Sequence, residues 1–183
     1  MPNYCNYEMK VKGSKKAIQR VVKCLEADYN YSLGIKPEKH FFRVFDVYYD
    51  KPYKNEDGTY TLIIGGYCAW SVYSAMLDTG DTSYYGSLKH DYPTIFNGTT
   101  LEEQSKNCEI EVFSEEEGMG FSEHYLFKNG KCLIDETADI EQAGYTKTGK
   151  ISKRINWDTY DGDYVCLNPH RENQTEGYLW VIK

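Results

Sequence analysis

Residues 5–25, with the sequence CNYEMKVKGSKKAIQRVVKCL, contain the pattern that decides the fold. The first half alternates between apolar and polar residues and places Tyr7, Met9 and Val11 on one side, as in a half-buried strand. Ser14 is a good helix N-cap. The apolar residues after it have the spacing of one helix face, and they are Ile18, Val21, Val22 and Leu25. The stretch therefore predicts a strand followed by an amphipathic helix that ends near residue 28.

Further elements are predicted on both sides of a polar, Tyr-bearing segment at residues 79–98, which is expected to be a surface loop. Short helices are predicted at 70–77, where Trp70 is expected in the core, and at 100–107, which opens with capping-box spacing. Asn129-Gly130 is the strongest hairpin signal in the chain. The predicted strands cover residues 41–49, 59–66, 109–114, 121–127, 131–136, 164–167 and 178–182.

The order of these elements predicts an α+β fold of the ferredoxin-like sandwich type. Strand, helix, strand, strand, helix, strand is the expected order, with the helix at 70–77 treated as an insertion. Two main helices would cover one face of an antiparallel sheet. An extra hairpin and C-terminal strands would extend that sheet. Residues 1–137 form the predicted domain, and residues 138–183 are expected to pack on it as an extension.

Charge is unevenly distributed along this acidic chain, whose formal net charge is −7. Residues 1–54 contain 11 Lys/Arg and 6 Asp/Glu, whereas residues 102–141 contain 3 Lys/Arg and 12 Asp/Glu. The 18 tyrosines add side chains that provide large contact areas at low entropic cost. This combination favours recognition of a macromolecule, because an acidic patch attracts a basic partner.

Cysteine use and hydropathy predict a cytoplasmic protein. The six cysteines stand far apart and show no zinc-ligand spacing, so they are expected to be reduced and mostly buried. No secretory signal is recognisable at the start, and no apolar run approaches the roughly 18 residues of a membrane-spanning helix. Membrane partners and cofactors are therefore not expected.

The acidic region contains the main candidates for partner binding. Its carboxylates would compete with nucleic acid for a basic groove, and salt would weaken that contact. Three tyrosines of the predicted loop would anchor the interface. The predicted partner-binding residues are Glu115, Glu116, Glu117, Asp135, Glu136, Asp139, Glu141, Tyr84, Tyr85 and Tyr92.

Two further groups of residues point to nucleic acids. Glu123 and His124, close to the three consecutive glutamates, are weak catalytic candidates, since carboxylates and a histidine hold Mg²⁺ or Mn²⁺ in nucleases. A regular strand would, however, place these two side chains on opposite faces. The cationic side of the first helix is a candidate for phosphate contact. It consists of Lys15, Lys16, Arg20 and Lys23.

Several blocks of the chain resemble one family of mobile-element proteins. They are the opening MPNYCN at residues 1–6, the strand end Lys12-Gly13, GYCAWS at 66–71, EEGMGF at 116–121 and YLFKNG at 125–130. In these blocks the chain resembles the YubB-like small phage and plasmid proteins, which have a ferredoxin-like domain. The resemblance covers roughly residues 1–137, and it implies a mobile-element setting in which small acidic proteins inhibit host defence. Anti-CRISPR proteins that act on Cas9 of type II-A systems are the most concrete such class.

The sequence and the resemblance together favour a binding protein over an enzyme. The expected partner is a host defence nucleoprotein, with Cas9 and its guide RNA as the most concrete case and direct RNA contact as part of the interaction. Two alternatives stay open. One is a metal-dependent or partner-dependent nuclease-type activity on guide RNA, and the other is a regulator of the phage or plasmid itself.

Overall fold

The structure, a computed structural model, describes residues 3–34, 39–77, 98–156 and 158–170. It is an α+β fold dominated by an antiparallel sheet of seven strands. The strands are β1 (Tyr4–Gly13), β2 (Val44–Tyr49), β3 (Tyr53–Lys54), β4 (Tyr60–Ala69), β5 (Cys108–Glu116), β6 (Phe121–Lys128) and β7 (Lys131–Asp139). Six of them lie side by side in the order β2-β4-β1-β5-β6-β7, and the short β3 also pairs with β4.

β1 lies in the middle of the sheet, and one of its two faces is buried in the core, as the alternation of apolar and polar residues predicts. It pairs antiparallel with β4 on one side and with β5 on the other. Tyr7, Met9 and Val11 are fully buried, because alternate residues of a strand face the same side. They pack against α1 (Lys15–Leu25), whose Ser14 side chain accepts a hydrogen bond from the Ala17 amide at 3.2 Å. The predicted strand and helix are thus confirmed.

The helical segment after β1 is divided in two. The single helix predicted to about residue 28 ends at Leu25, where the Glu26 amide bonds back to the Val22 carbonyl at 2.9 Å. A second helix, α2 (Ala27–Ser32), follows directly. β2 then begins at Val44, three residues later than the predicted start, and its register shifts between Phe45 and Tyr48.

The segment after β4 differs most from its prediction. A π-helical turn covers Tyr73–Leu77, and Trp70 precedes it in the left-handed region with φ of 67°. Trp70 is 41% exposed, so its predicted place in the core is wrong. Its ring packs under the guanidinium of Arg43, with 4.5 Å between that group and the ring centroid.

The second half of the sheet follows the prediction closely. A short helix, α3 (Leu101–Gln104), is capped by the Thr100 side chain and continues as a 3-10 turn (Ser105–Asn107). β5, β6 and β7 follow as a meander. Asn129 and Gly130 both have positive φ, as a two-residue hairpin turn of the predicted type requires.

A second, three-stranded sheet follows β7. Its strands are β8 (Glu141–Tyr145), β9 (Ile151–Ser152) and β10 (Tyr164–Leu167), in the order β10-β8-β9. β10 was predicted from the sequence, whereas β8 and β9 are too short and irregular in pattern to be recognised. The strand predicted at 178–182 lies outside the described residues. Among the described residues, no helix is long and apolar enough to cross a membrane.

Candidate functional site

Five of the predicted partner-binding carboxylates are exposed along the β7 end of the sheet, on both of its faces, and are here called the acidic edge. Its members lie on β7, in the turn before β6 and at the start of β8, and they are Glu117, Asp135, Glu136, Asp139 and Glu141. β7 pairs with β6 alone among the described strands, so its other side faces outward. The acidic edge therefore combines a strand side that no other described strand pairs with and a concentration of negative charge.

Glu115 and Glu116 do not belong to the exposed surface on which they were expected. β5 continues through both residues, and their exposed fractions are only 5% and 6%. The Asn168 amide donates to Glu115 Oε2 at 2.8 Å, and the Met119 amide donates to Glu116 Oε2. Both carboxyl groups thus hold other parts of the chain in place, which corrects the prediction of an acidic surface through residues 115–117.

Glu123 is also buried, with 3% of its surface exposed, on the side of the sheet that carries the core. Its Oε2 accepts from the Val72 amide at 2.8 Å and from Ser114 Oγ at 2.6 Å. Its Oε1 accepts from the Tyr73 amide at 3.2 Å and from the Tyr125 hydroxyl at 3.1 Å. Burial, with a contribution from Glu123, raises the pKa of Tyr125. Glu123 thus connects β6 to the start of the π-helical turn.

His124 projects from the opposite face of the sheet. Its ring stacks on Phe113, with 4.1 Å between centroids, and its Nε2 lies 3.1 Å from Glu111 Oε1. Its Nδ1 lies 3.6 Å from Glu136 Oε2. The two catalytic candidates are therefore separated by the sheet, as strand alternation predicts. No group of three or more His, Cys, Asp or Glu in a metal-holding arrangement occurs among the described residues.

The C-terminal segment is attached to the sheet beside His124. Ser122 Oγ lies 3.0 Å from Nδ1 of His170, and the rings of His124 and His170 are 5.8 Å apart. Burial, and then the neighbouring His124, lower the pKa of His170, while Glu136 acts in the opposite direction. His170 therefore favours its neutral form in this contact.

We expect acidification to weaken this attachment. The pKa of His170 is lower in the folded chain than the ordinary unfolded value of about 6.5. The unfolded chain then binds more protons, so the stabilisation is complete above that value and is lost as the pH falls through the folded pKa. The free energy of unfolding, measured in urea at pH 7.5 and 5.5, should fall less in His170→Gln than in the unchanged protein. An equal fall in both proteins would contradict the assignment, because the contribution of the buried His40 is common to both.

The cationic residues of α1 are all exposed, as the helical spacing predicts. Lys15, Lys16, Arg20 and Lys23 lie on the side of the helix that faces away from the core. Nζ of Lys15 lies 4.7 Å from the centroid of the Tyr60 ring. Their contact with nucleic-acid phosphates stays a prediction.

The three predicted aromatic anchors, Tyr84, Tyr85 and Tyr92, lie outside the described residues. Other exposed aromatic side chains lie near the β2 end of the sheet, where Tyr4 is 59% exposed and packs edge-on against Phe45 at 5.7 Å. Sequence analysis missed this group, although strand alternation places Tyr4 on the side opposite Tyr7.

Comparison of the chain with protein-family models, with curated proteins and with solved structures gives no match in any of the three.

Proposed function

We propose that this chain is a binding protein whose acidic edge occupies a basic, nucleic-acid-binding groove of a host defence nucleoprotein. The observation that supports the proposal is the exposed edge strand β7, on which three carboxylates outnumber the single cation Lys131. Seven of its nine side chains are exposed, including those of Asp135, Glu136 and Asp139. Such an edge presents closely spaced negative charges on a rigid element.

The balance of charge on this surface also supports the proposal. Glu141 forms an ion pair with Lys153, and Glu136 faces His124. Within the described part of the chain, no ion pair involves Glu117, Asp135 or Asp139. We take these three carboxylates as the contacts for the cations of a partner, and a long-range field from them would accelerate encounter with a basic groove.

A ferredoxin-like arrangement of the first strands forms part of the proposal. The order β2-β4-β1-β5, with α1 between β1 and β2, is the order expected for that architecture. Among the described residues, the second crossover, from β4 to β5, contains the π-helical turn, the short α3 and its 3-10 turn. Together with the resemblance to YubB-like proteins, this arrangement favours a mobile-element protein that works in the host cytoplasm. Cas9 with its guide RNA is then the first partner to test.

The test is a Cas9 cleavage reaction with the purified full chain, in which target DNA and guide RNA are both separated on denaturing gels. We expect protected DNA and intact guide RNA. A shortened guide would overturn the proposal in favour of a nuclease-type activity. Unchanged cleavage together with no binding of the Cas9 complex would exclude Cas9 as the partner.

Charge reversal tests the role of the acidic edge in the same reaction. The variant Glu117→Lys/Asp135→Lys/Asp139→Lys should bind the Cas9 complex between about tenfold and a hundredfold more weakly, since each tenfold corresponds to about 1.4 kcal/mol. The dissociation constant should also become less sensitive to salt.

A matched control variant distinguishes an effect of the acidic edge itself from an effect of the net charge of the protein. Asp50, Glu56 and Asp161 are also exposed but lie outside β7, in turns and loops. Their triple change to lysine alters the net charge by the same amount and should change the affinity less than threefold. Equal losses in both triple variants would show that net charge, and not the acidic edge, governs binding.

A further inference from the structure

A cleft with a volume of about 460 Å³ lies between the helices and β2, far from the acidic edge. The described part of its lining comes from the end of α1, the junction with α2, α2 itself and four consecutive residues of β2. These residues are Leu25, Glu26, Tyr29, Val44, Phe45, Asp46 and Val47. The volume falls within the range of small-ligand sites. In the strand order, β2 and β7 are at opposite ends, so the cleft and the acidic edge are separate surfaces.

The floor of the cleft is apolar and rigid. Leu25 and Val44 are 1% and 4% exposed and belong to the main core, and Val47 packs against that core. An aliphatic chain placed on this floor would lose contact with water at little cost in protein rearrangement, because the core is already packed.

The charged side chains that the described residues contribute to the cleft are acidic. Glu26 lies between the end of α1 and the start of α2, and its Oε1 accepts from the Tyr49 hydroxyl at 2.7 Å. Asp46 lies where the register of β2 shifts, and its φ is 47°. A bulge of this kind turns a side chain away from the regular alternation of the strand. Tyr29, which is 68% exposed, adds an aromatic ring beside the carboxylates.

From this combination we infer that the cleft binds an arginine side chain of a partner protein. The aliphatic stem of arginine matches the apolar floor, and its guanidinium complements Glu26 and Asp46 in charge. Guanidinium also stacks on aromatic rings such as that of Tyr29, which lysine does less well. Phosphates and other anions would be repelled by the same two carboxylates. The inference does not depend on the acidic edge or on Cas9.

Nuclear magnetic resonance of the full chain with ¹³C-labelled tyrosine provides the test. The probe is the peptide acetyl-Gly-Gly-Arg-Gly-Gly-amide, and Tyr29→Phe assigns the ring signal of Tyr29. We expect saturable shifts of the Tyr29 and Tyr49 signals. The matched peptide with citrulline, which has the same shape without the charge, should bind at least about tenfold more weakly. A lysine peptide should bind several-fold more weakly than the arginine peptide.

Variants locate the binding in the cleft. Asp46→Asn should weaken arginine binding about tenfold, and Glu26→Gln should weaken it similarly, whereas Glu56→Gln in an exposed turn should leave it unchanged. Unchanged signals of the other tyrosines confirm that each variant is folded. Equal binding of the citrulline peptide, equal or tighter binding of the lysine peptide, absence of a saturable shift, or full binding by Asp46→Asn would each overturn the inference.

Discussion

The variant Glu123→Ala is expected to lose about 3–4 kcal/mol of its free energy of unfolding, although the residue carries no predicted structural role in the sequence. Its carboxyl group accepts four hydrogen bonds in a buried environment, two from backbone amides and two from hydroxyl groups. Removing the acceptor takes away the bonds of three buried donors, the Val72 amide and the Ser114 and Tyr125 hydroxyls, and burying a polar group without its partner is costly. For a chain of this length the loss corresponds to a fall of roughly 10 °C in Tm.

Urea unfolding monitored by tryptophan fluorescence measures this effect. Glu117→Ala, an exposed neighbour from the acidic edge, is the control and should change the free energy by less than about 0.5 kcal/mol. Ser114→Ala removes one of the four donors and should fall between the two. A loss below 1 kcal/mol in Glu123→Ala would show that the carboxyl group does not connect β6 to the π-helical turn. If Glu123→Gln loses activity, its free energy of unfolding must be measured before the loss is attributed to catalysis.

Gly66→Val is expected to cost about 2–3 kcal/mol, because the central part of the sheet has no space for a side chain at this position. A Cβ atom at Gly66 would lie 2.7 Å from the Tyr7 hydroxyl oxygen and 3.1 Å from the Phe45 carbonyl oxygen. The Tyr7 ring is fully buried and has no space into which to move, and the carbonyl belongs to the backbone of β2. One of the two must be displaced, and with it the pairing of β2 or the packing of β1.

The same urea experiment distinguishes this steric effect from the general effect of replacing glycine. No atom of the described residues lies within 4 Å of the corresponding Cβ position at Gly98, so Gly98→Ala should leave the stability within about 0.5 kcal/mol. Gly66→Ala should already cost about 1 kcal/mol or more. If Gly66→Val were as stable as the unchanged protein, the close packing of Tyr7 against β4 would be disproved.

The parts of the fold that depend on neighbours in sequence were predictable. The alternation in β1, the N-cap Ser14 and the turn at Asn129-Gly130 each specify local geometry without help from distant residues. The division between α1 and α2 and the late start of β2 are boundary errors of a few residues. The α+β class followed correctly from the order of these elements.

The candidate site was less predictable because its geometry depends on distant partners. Glu123 meets amides about 50 residues earlier in the chain, and Glu115 meets Asn168 about 50 residues later. Nothing near either glutamate in sequence indicates these contacts, so burial could not be inferred. The bulge at Asp46 likewise lacks a local signal such as glycine. Asp135 and Asp139, by contrast, were correctly expected to be exposed, because they lie on a strand with many polar residues.

The central position of β1 also has a consequence for synthesis on the ribosome. β1 emerges well before its two neighbours, β4 and β5, and its last partner in β5 is Glu115. About 100 residues must be added after β1 before both of its edges are paired, which takes roughly 5–20 s at the usual rate of translation. Throughout that interval Tyr7, Met9 and Val11 have no completed core to enter. The nascent chain is therefore a natural client for chaperones that shield apolar strands.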